Sequence, residues 1–305
     1  MNYDIHEDFR KIRFSVSLDR KIIPLEQAMT RALFNGAKNL PGVRSRKFRI
    51  DGYDGRKLGL EIFEPAGRTG RLPCLLFFHG GAFILNASMH HRQLACDYSR
   101  GAGCKVIFVD YSLAPRFPFP QAQEESHAAY RWILGHHEEL GIDPHRIGIC
   151  GDSAGGGLAA VLAQMIRDRG IAQPLFQMLI YPVLSRNIPT ESKAAFTDTP
   201  LWNSVLNEKM WQLYSGHCSG NEPYLDALGH ADLSHLPDAW IEASEFDCLR
   251  DEGAFYAERL RENGNACEFI LDKGAIHGFE FKSESPYVRA AVEKRITYMK
   301  RKFDT

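Results

Sequence analysis

Arg146-Ile147-Gly148-Ile149-Cys150-Gly151-Asp152-Ser153-Ala154-Gly155 is the stretch from which the fold of this chain can be read. Its first five residues form a short, largely apolar run of strand character. Beyond it Leu158, Val161, Leu162, Met165 and Ile166 recur at helical spacing. Between strand and helix lies a small-x-Ser-x-small turn. A serine at so sharp a turn crowds the residues two before and two after it, and glycine at both places relieves the crowding. The turn exposes Ser153 as a nucleophile and sets the next backbone N–H, that of Ala154, where an oxyanion would form. Gly155-Gly156-Gly157 is not a phosphate loop, because no Gly-Lys-Ser/Thr follows and no G-x-G-x-x-G leads.

Upstream, the apolar run Leu75-Leu76-Phe77-Phe78 opens into His79-Gly80-Gly81-Ala82-Phe83. A loop of this kind can bring backbone N–H groups close to a substrate carbonyl and complete an oxyanion hole. Its third glycine is replaced by Ala82, which can still donate its N–H unless positive φ is required there. The remaining partners of a serine nucleophile are expected in the order acid, then histidine. Asp247 lies where a strand from Trp240 runs into a loop, with a helix expected from about Asp251. His277 follows the strand-like run Cys267-Glu268-Phe269-Ile270-Leu271. In these roles His277 takes the serine proton, and Asp247 orients the imidazole and stabilises its charged form.

With these motifs in order, the chain resembles the hormone-sensitive-lipase-like branch of the α/β-hydrolase superfamily, which includes bacterial acetyl esterases. The resemblance extends over nearly everything beyond about Ile50. It is carried by the two glycine-rich turns, Asp110-Tyr111-Ser112-Leu113-Ala114-Pro115, Asp247-Cys248-Leu249-Arg250-Asp251-Glu252 and His277-Gly278-Phe279. It implies a catalytic triad of Ser153, Asp247 and His277. It also implies an oxyanion hole from Gly81, Ala82 and Ala154, with Gly80 as a substitute donor should Ala82 not reach. Cys248 stands where the family commonly has proline.

The 305 residues suffice for one large α/β domain with a full core; 44% are hydrophobic and 25% charged, as in ordinary globular proteins. A formal net charge of −1 gives no basic field for nucleic acid or an anionic membrane. The opening Met1–Asp8 lacks the pattern of a signal peptide, and no apolar run approaches the ~20 residues that span a bilayer. Seven cysteines without C-x-x-C spacing point to a reducing compartment, so a cytoplasmic location is expected.

Strands alternate with helices from Arg44 to about Pro182, which predicts a mostly parallel central sheet covered on both faces. Lys47–Ile50 and Leu58–Phe63 form a leading antiparallel pair, and a helix from Ala122 to Leu140 bridges two buried strands. One domain over 1–305 is expected, with a helical cap formed by about 1–43 and about 183–236. The second cap segment is rich in large side chains, among them Trp202, Trp211 and Tyr214, which are first expected to pack the cap itself.

Paired histidines at His90-His91 and His136-His137 are poor metal ligands, since neighbours on a helix do not share a face. Asp251 and Glu252 fit the first turn of the next helix better than the triad, and Cys248 reads as a packed thiol. The expected activity is that of a serine carboxylesterase without cofactor or metal, acting on small acetyl to butyryl esters. The alternatives are an amidase or deacetylase acting on small acylated amines or sugars, and a non-enzymatic small-molecule receptor of the same fold. The receptors lack the histidine that His277 supplies. The oligomeric state is left open, with a homodimer among the options.

Overall fold

Alternation along β3 (Leu72–Phe78) shows how the chain builds two cores on one sheet. Leu76 and Phe78 face one apolar layer, Leu75 and Phe77 the other, and all four are buried. The computed structural model describes residues 3–219 and 222–305. The other strands are β1 (Val43–Asp51), β2 (Lys57–Pro65), β4 (Lys105–Asp110), β5 (Ile142–Asp152), β6 (Phe176–Ile180), β7 (Asp238–Phe246) and β8 (Cys267–Ile276). They form one eight-stranded sheet in the order β1-β2-β4-β3-β5-β6-β7-β8. β1 pairs with β2, and β2 with β4, antiparallel; every other pairing is parallel. The leading antiparallel pair and the mostly parallel α/β sheet are those read from the sequence.

The helices are α1 (Ile23–Gly36), α2 (Met89–Ala102), α3 (Gln121–Leu140), α4 (Ala154–Asp168), α5 (Glu191–Ala195), α6 (Ser204–Tyr214), α7 (Arg250–Glu262) and α8 (Pro286–Phe303). Leu94 and Tyr98 of α2 join Val292 and Met299 of α8 in one core; Tyr130 of α3, Leu158 of α4 and Leu260 of α7 belong to the other. Covering both faces explains why β3, β4 and β6 are nearly continuous apolar runs.

The N-terminal segment and the segment between β6 and β7 meet each other. Ser15 bridges to Leu201, Leu201 N–H donates to Phe14 O at 2.8 Å, and Val16 N–H donates to Leu201 O at 3.2 Å. α6 begins just beyond, capped by the Asn203 side chain, which accepts from Leu206 N–H. Among the described residues no helix is long and apolar enough to cross a membrane.

Candidate active site

Ser153, Asp247 and His277 lie just past the carboxyl ends of β5, β7 and β8, the edge where open α/β sheets hold their ligands. Ser153 is the N-cap of α4 and adopts φ 54°, ψ −119°, a backbone state costing on the order of 1–3 kcal/mol for a residue with a side chain. Glycines make the turn possible. A Cβ on Gly151 would sit 2.2 Å from the Gly155 carbonyl, and one on Gly155 would sit 2.0 Å from Phe78 O. The close approach of α4 to β3 thus requires the small residues that flank the serine.

Ser153 Oγ lies 2.8 Å from His277 Nε2, and His277 Nδ1 lies 2.7 Å from Asp247 Oδ2. Asp247 is fully buried, and its other oxygen accepts Leu249 N–H at 3.0 Å. With one nitrogen of His277 facing the carboxylate, the other is left to accept the serine proton. Ser153 and His277 are only 6% and 7% exposed. Asp251 and Glu252 lie in the first turn of α7 instead. Asp251 accepts Ser192 N–H at 2.7 Å, and Glu252 accepts the N–H groups of Leu184 and Ser185 at 2.8 and 2.9 Å. They tie the chain beyond β6 to α7. The Cys248 thiol is pushed well up by burial, then by the Asp247 charge, as expected of a packed thiol.

The loop after β3 requires positive φ. Gly81 has φ 124°, Ala82 60° and Phe83 57°. Ala82 therefore takes a conformation that glycine would adopt more freely, and, contrary to the expectation, positive φ does not commit its N–H elsewhere. The turn is held by Ala114 N–H donating to Phe83 O at 2.9 Å and by the Phe83 ring stacked 3.9 Å from Tyr214. Among the described residues the N–H groups of Gly81, Ala82 and Ala154 donate to no protein acceptor. Three free donors on two segments that meet beside a serine can stabilise a negative oxygen. Gly80 cannot substitute for one of them: its N–H is committed to Asp152 Oδ2 at 3.0 Å.

The sequence pattern of the α/β-hydrolase fold matches residues 75–281, from the middle of β3 to just past His277. The chain belongs to the α/β-hydrolase family, in its hormone-sensitive-lipase-like branch. It is 34% identical to the carboxylesterase NlhH of Mycobacterium tuberculosis over 285 residues, 92% of this chain and 89% of that protein. It is 32% identical to an ethyl acetate hydrolase of Pseudomonas putida over 230 residues, covering 74% and 72% of the two chains. Among solved structures, a bacterial heroin esterase superposes with a TM-score of 0.87 at 32% identity, covering 95% of this chain and 94% of the other.

In this α/β-hydrolase two buried polar groupings went unread in the sequence. Asp152, beside the serine, faces His91 Nε2 at 3.2 Å while holding Gly80 N–H. Burial works to raise the Asp152 carboxyl, but the facing His91 imidazole and its hydrogen bond outweigh it and hold the group down at about 2. His91 is the third residue of α2 and closes a capping box with Ser88. Its ring lies 4.0 Å from that of His90, so at this helix start the neighbouring rings do not diverge as expected. Among the described residues no group of three or more His, Cys, Asp or Glu is placed to hold a metal.

The second grouping lies next to His277. Tyr181, directly after β6, places its ring 4.8 Å from the His277 ring, and its hydroxyl donates to Glu280. Arg295, wholly buried on α8, donates to Glu280 at 2.5 Å and to Glu242 on β7 at 2.5–2.9 Å. Three elements are thereby fastened around the histidine loop. Of the aromatics between β6 and β7, Trp202 comes within 5.9 Å of the His277 ring and Trp211 within 6.3 Å of Phe83.

Proposed function

We propose that the chain is a serine carboxylesterase that hydrolyses small, short-chain esters through an acyl-enzyme. The observation that carries this reading is the run from Ser153 through His277 to Asp247, at 2.8 and 2.7 Å. His277 takes the proton as Ser153 Oγ attacks the ester carbonyl. The tetrahedral oxygen is received by the N–H groups of Gly81, Ala82 and Ala154. Collapse expels the alcohol, which takes its proton from His277. Water then attacks the acyl-enzyme with His277 as base, and Ser153 is regenerated. Asp247 holds the imidazole in the tautomer that can accept and faces the imidazolium as it forms.

The cap is part of the same proposal. Residues about 1–43 and about 183–236 exclude water from the tetrahedral intermediate and supply the wall for the acyl or alcohol group. The Trp202 ring lies 5.9 Å from that of His277, and Phe83, which follows Ala82, is stacked on Tyr214; large side chains so placed favour a short acyl group. The names of the relatives, carboxylesterase and ethyl acetate hydrolase, support the ester chemistry.

Aryl esters from acetyl to lauryl, assayed on wild type and Ser153→Ala, test the reading. Efficiency should peak at acetyl to butyryl, Ser153→Ala should fold but lose turnover by orders of magnitude, and an organophosphonate should label Ser153 alone. Retained turnover in Ser153→Ala would overturn the mechanism. Rates that keep rising through lauryl would overturn the short-chain assignment.

A further inference from the structure

Tyr181 adopts a positive φ of 33°, an uncommon state for an aromatic residue. Strained backbone of this kind persists where its surroundings fix it, and it gathers at sites with a function. Here the surroundings include the main chain of Ser153. Ser153 N–H donates to Ile180 O at 2.8 Å, and Val183 N–H donates to Ser153 O at 3.0 Å. Tyr181 lies between those two residues, and its own N–H donates to Glu242 O on β7 at 2.8 Å. The segment that carries Tyr181 therefore holds the proposed nucleophile by both of its backbone groups.

From this segment the Tyr181 side chain reaches the histidine loop. Its ring lies 4.8 Å from the His277 ring, and its hydroxyl donates to Glu280. Glu280 stands one turn beyond His277, in the short 3₁₀ helix Phe279–Lys282. Arg295 of α8 donates to Glu280 at 2.5 Å and to Glu242 at 2.5–2.9 Å, so the acceptor is itself fixed. Tyr181, Glu280 and Arg295 are each at most 2% exposed, and water does not compete for these bonds. Among the described residues, two side-chain hydrogen bonds join residues 151–183 to residues 276–283: Ser153 with His277, and Tyr181 with Glu280.

We propose that Tyr181 is a positioning residue for the ester hydrolysis: through Glu280 it holds the histidine loop against the segment that fixes Ser153, and so sets the approach of His277 Nε2 to Ser153 Oγ. The inference rests on the serine reading given above. A buried tyrosine hydroxyl needs an acceptor in any core, and the Arg295 network would stabilise the fold wherever it lay. Stability alone accounts neither for the positive φ nor for an aromatic ring set against the imidazole. Tyr98 on α2 supplies the comparison. It is as deeply buried and its hydroxyl accepts from the same Arg295 at 3.3 Å, but its ring packs on Phe77 of β3.

Tyr181→Phe and Tyr98→Phe each remove one hydroxyl from this network and keep the ring. Both should retain the wild-type circular dichroism and unfold at lower urea. A misplacement of about 1 Å costs reacting groups about 10²-fold, so loosening one of two links should lower kcat on an aryl acetate about 10-fold in Tyr181→Phe, with KM within about 3-fold. Tyr98→Phe should stay within about 2-fold of wild-type kcat. The rate at which an organophosphonate labels Ser153 should follow the same pattern, because it reads the serine–histidine approach without turnover. Wild-type kcat and labelling rate in Tyr181→Phe, or an equal loss in Tyr98→Phe, would overturn the proposal and leave the serine mechanism standing. A wild-type protein that takes no label at Ser153 would overturn both.

Discussion

Replacing Asp152 by alanine asks whether the residue beside the proposed nucleophile acts through the loop proposed to hold the oxyanion. Its Oδ2 holds Gly80 N–H at 3.0 Å and faces His91 Nε2 at 3.2 Å, in a position 5% exposed. Alanine leaves the Gly80 N–H buried without an acceptor, which costs roughly 1–3 kcal/mol. The carboxyl, held down at about 2 from its ordinary 3.8, contributes about 2 kcal/mol above the unfolded value. Because the folded value is the lower one, that contribution is complete at neutral pH and lost as pH falls from about 3.8 through about 2. One oxygen serves both interactions, so the two costs overlap. Urea unfolding at neutral pH should show about 2–4 kcal/mol of destabilisation, shrinking below about pH 3. Losing an oxyanion donor outright costs about 10²–10³ in kcat. Slackening the neighbouring residue should cost less, about 10- to 100-fold in kcat with KM nearly unchanged. Asp152→Asn keeps an acceptor for Gly80 and should recover most of kcat without the acid-dependent stability. Turnover of Asp152→Ala within about 2-fold of wild type, on protein shown to be destabilised, would refute the argument.

Other substitutions separate roles that lie close together. Asp247→Asn should lower turnover about 10⁴-fold by favouring the wrong imidazole tautomer, whereas Asp251→Asn should cost little activity; steady-state kinetics on the pair would expose a reversed assignment. Ala82→Gly should leave kcat unchanged, since only the backbone donates. Stability should change by less than about 1 kcal/mol, as relief of positive φ is offset by the added chain entropy and the loss of a buried methyl; a larger shift in urea unfolding would contradict this. Truncating Trp202 should extend tolerance for longer acyl chains if its ring forms the pocket wall, and an unchanged chain-length profile would return it to packing within the cap.

How much could be read in advance depended on the distance over which each feature is encoded. The elbow at Ser153 is local: Gly151 and Gly155 are dictated by contacts within one turn and with the adjacent strand, so their spacing carries the signal. Strand and helix alternation is also local in period, which made the sheet and its leading antiparallel pair legible. The order of Ser153, Asp247 and His277 pointed to three side chains that the fold brings together, because connections in this fold bring successive strand ends to one edge. Hydrogen-bond commitments were not legible. Gly80 looked like its neighbour Gly81, and only folding showed that its N–H belongs to Asp152, 72 residues away. His91 read only as half of a histidine pair unsuited to metal, until α2 set it against Asp152, 61 residues on. Arg295, Glu242, Glu280 and Tyr181 lie on four separate segments with no common period, and nothing in the chain marks them as partners. Periodicity records which face of an element is buried. Which donor meets which acceptor across the core is fixed by packing, and that only the tertiary structure decides.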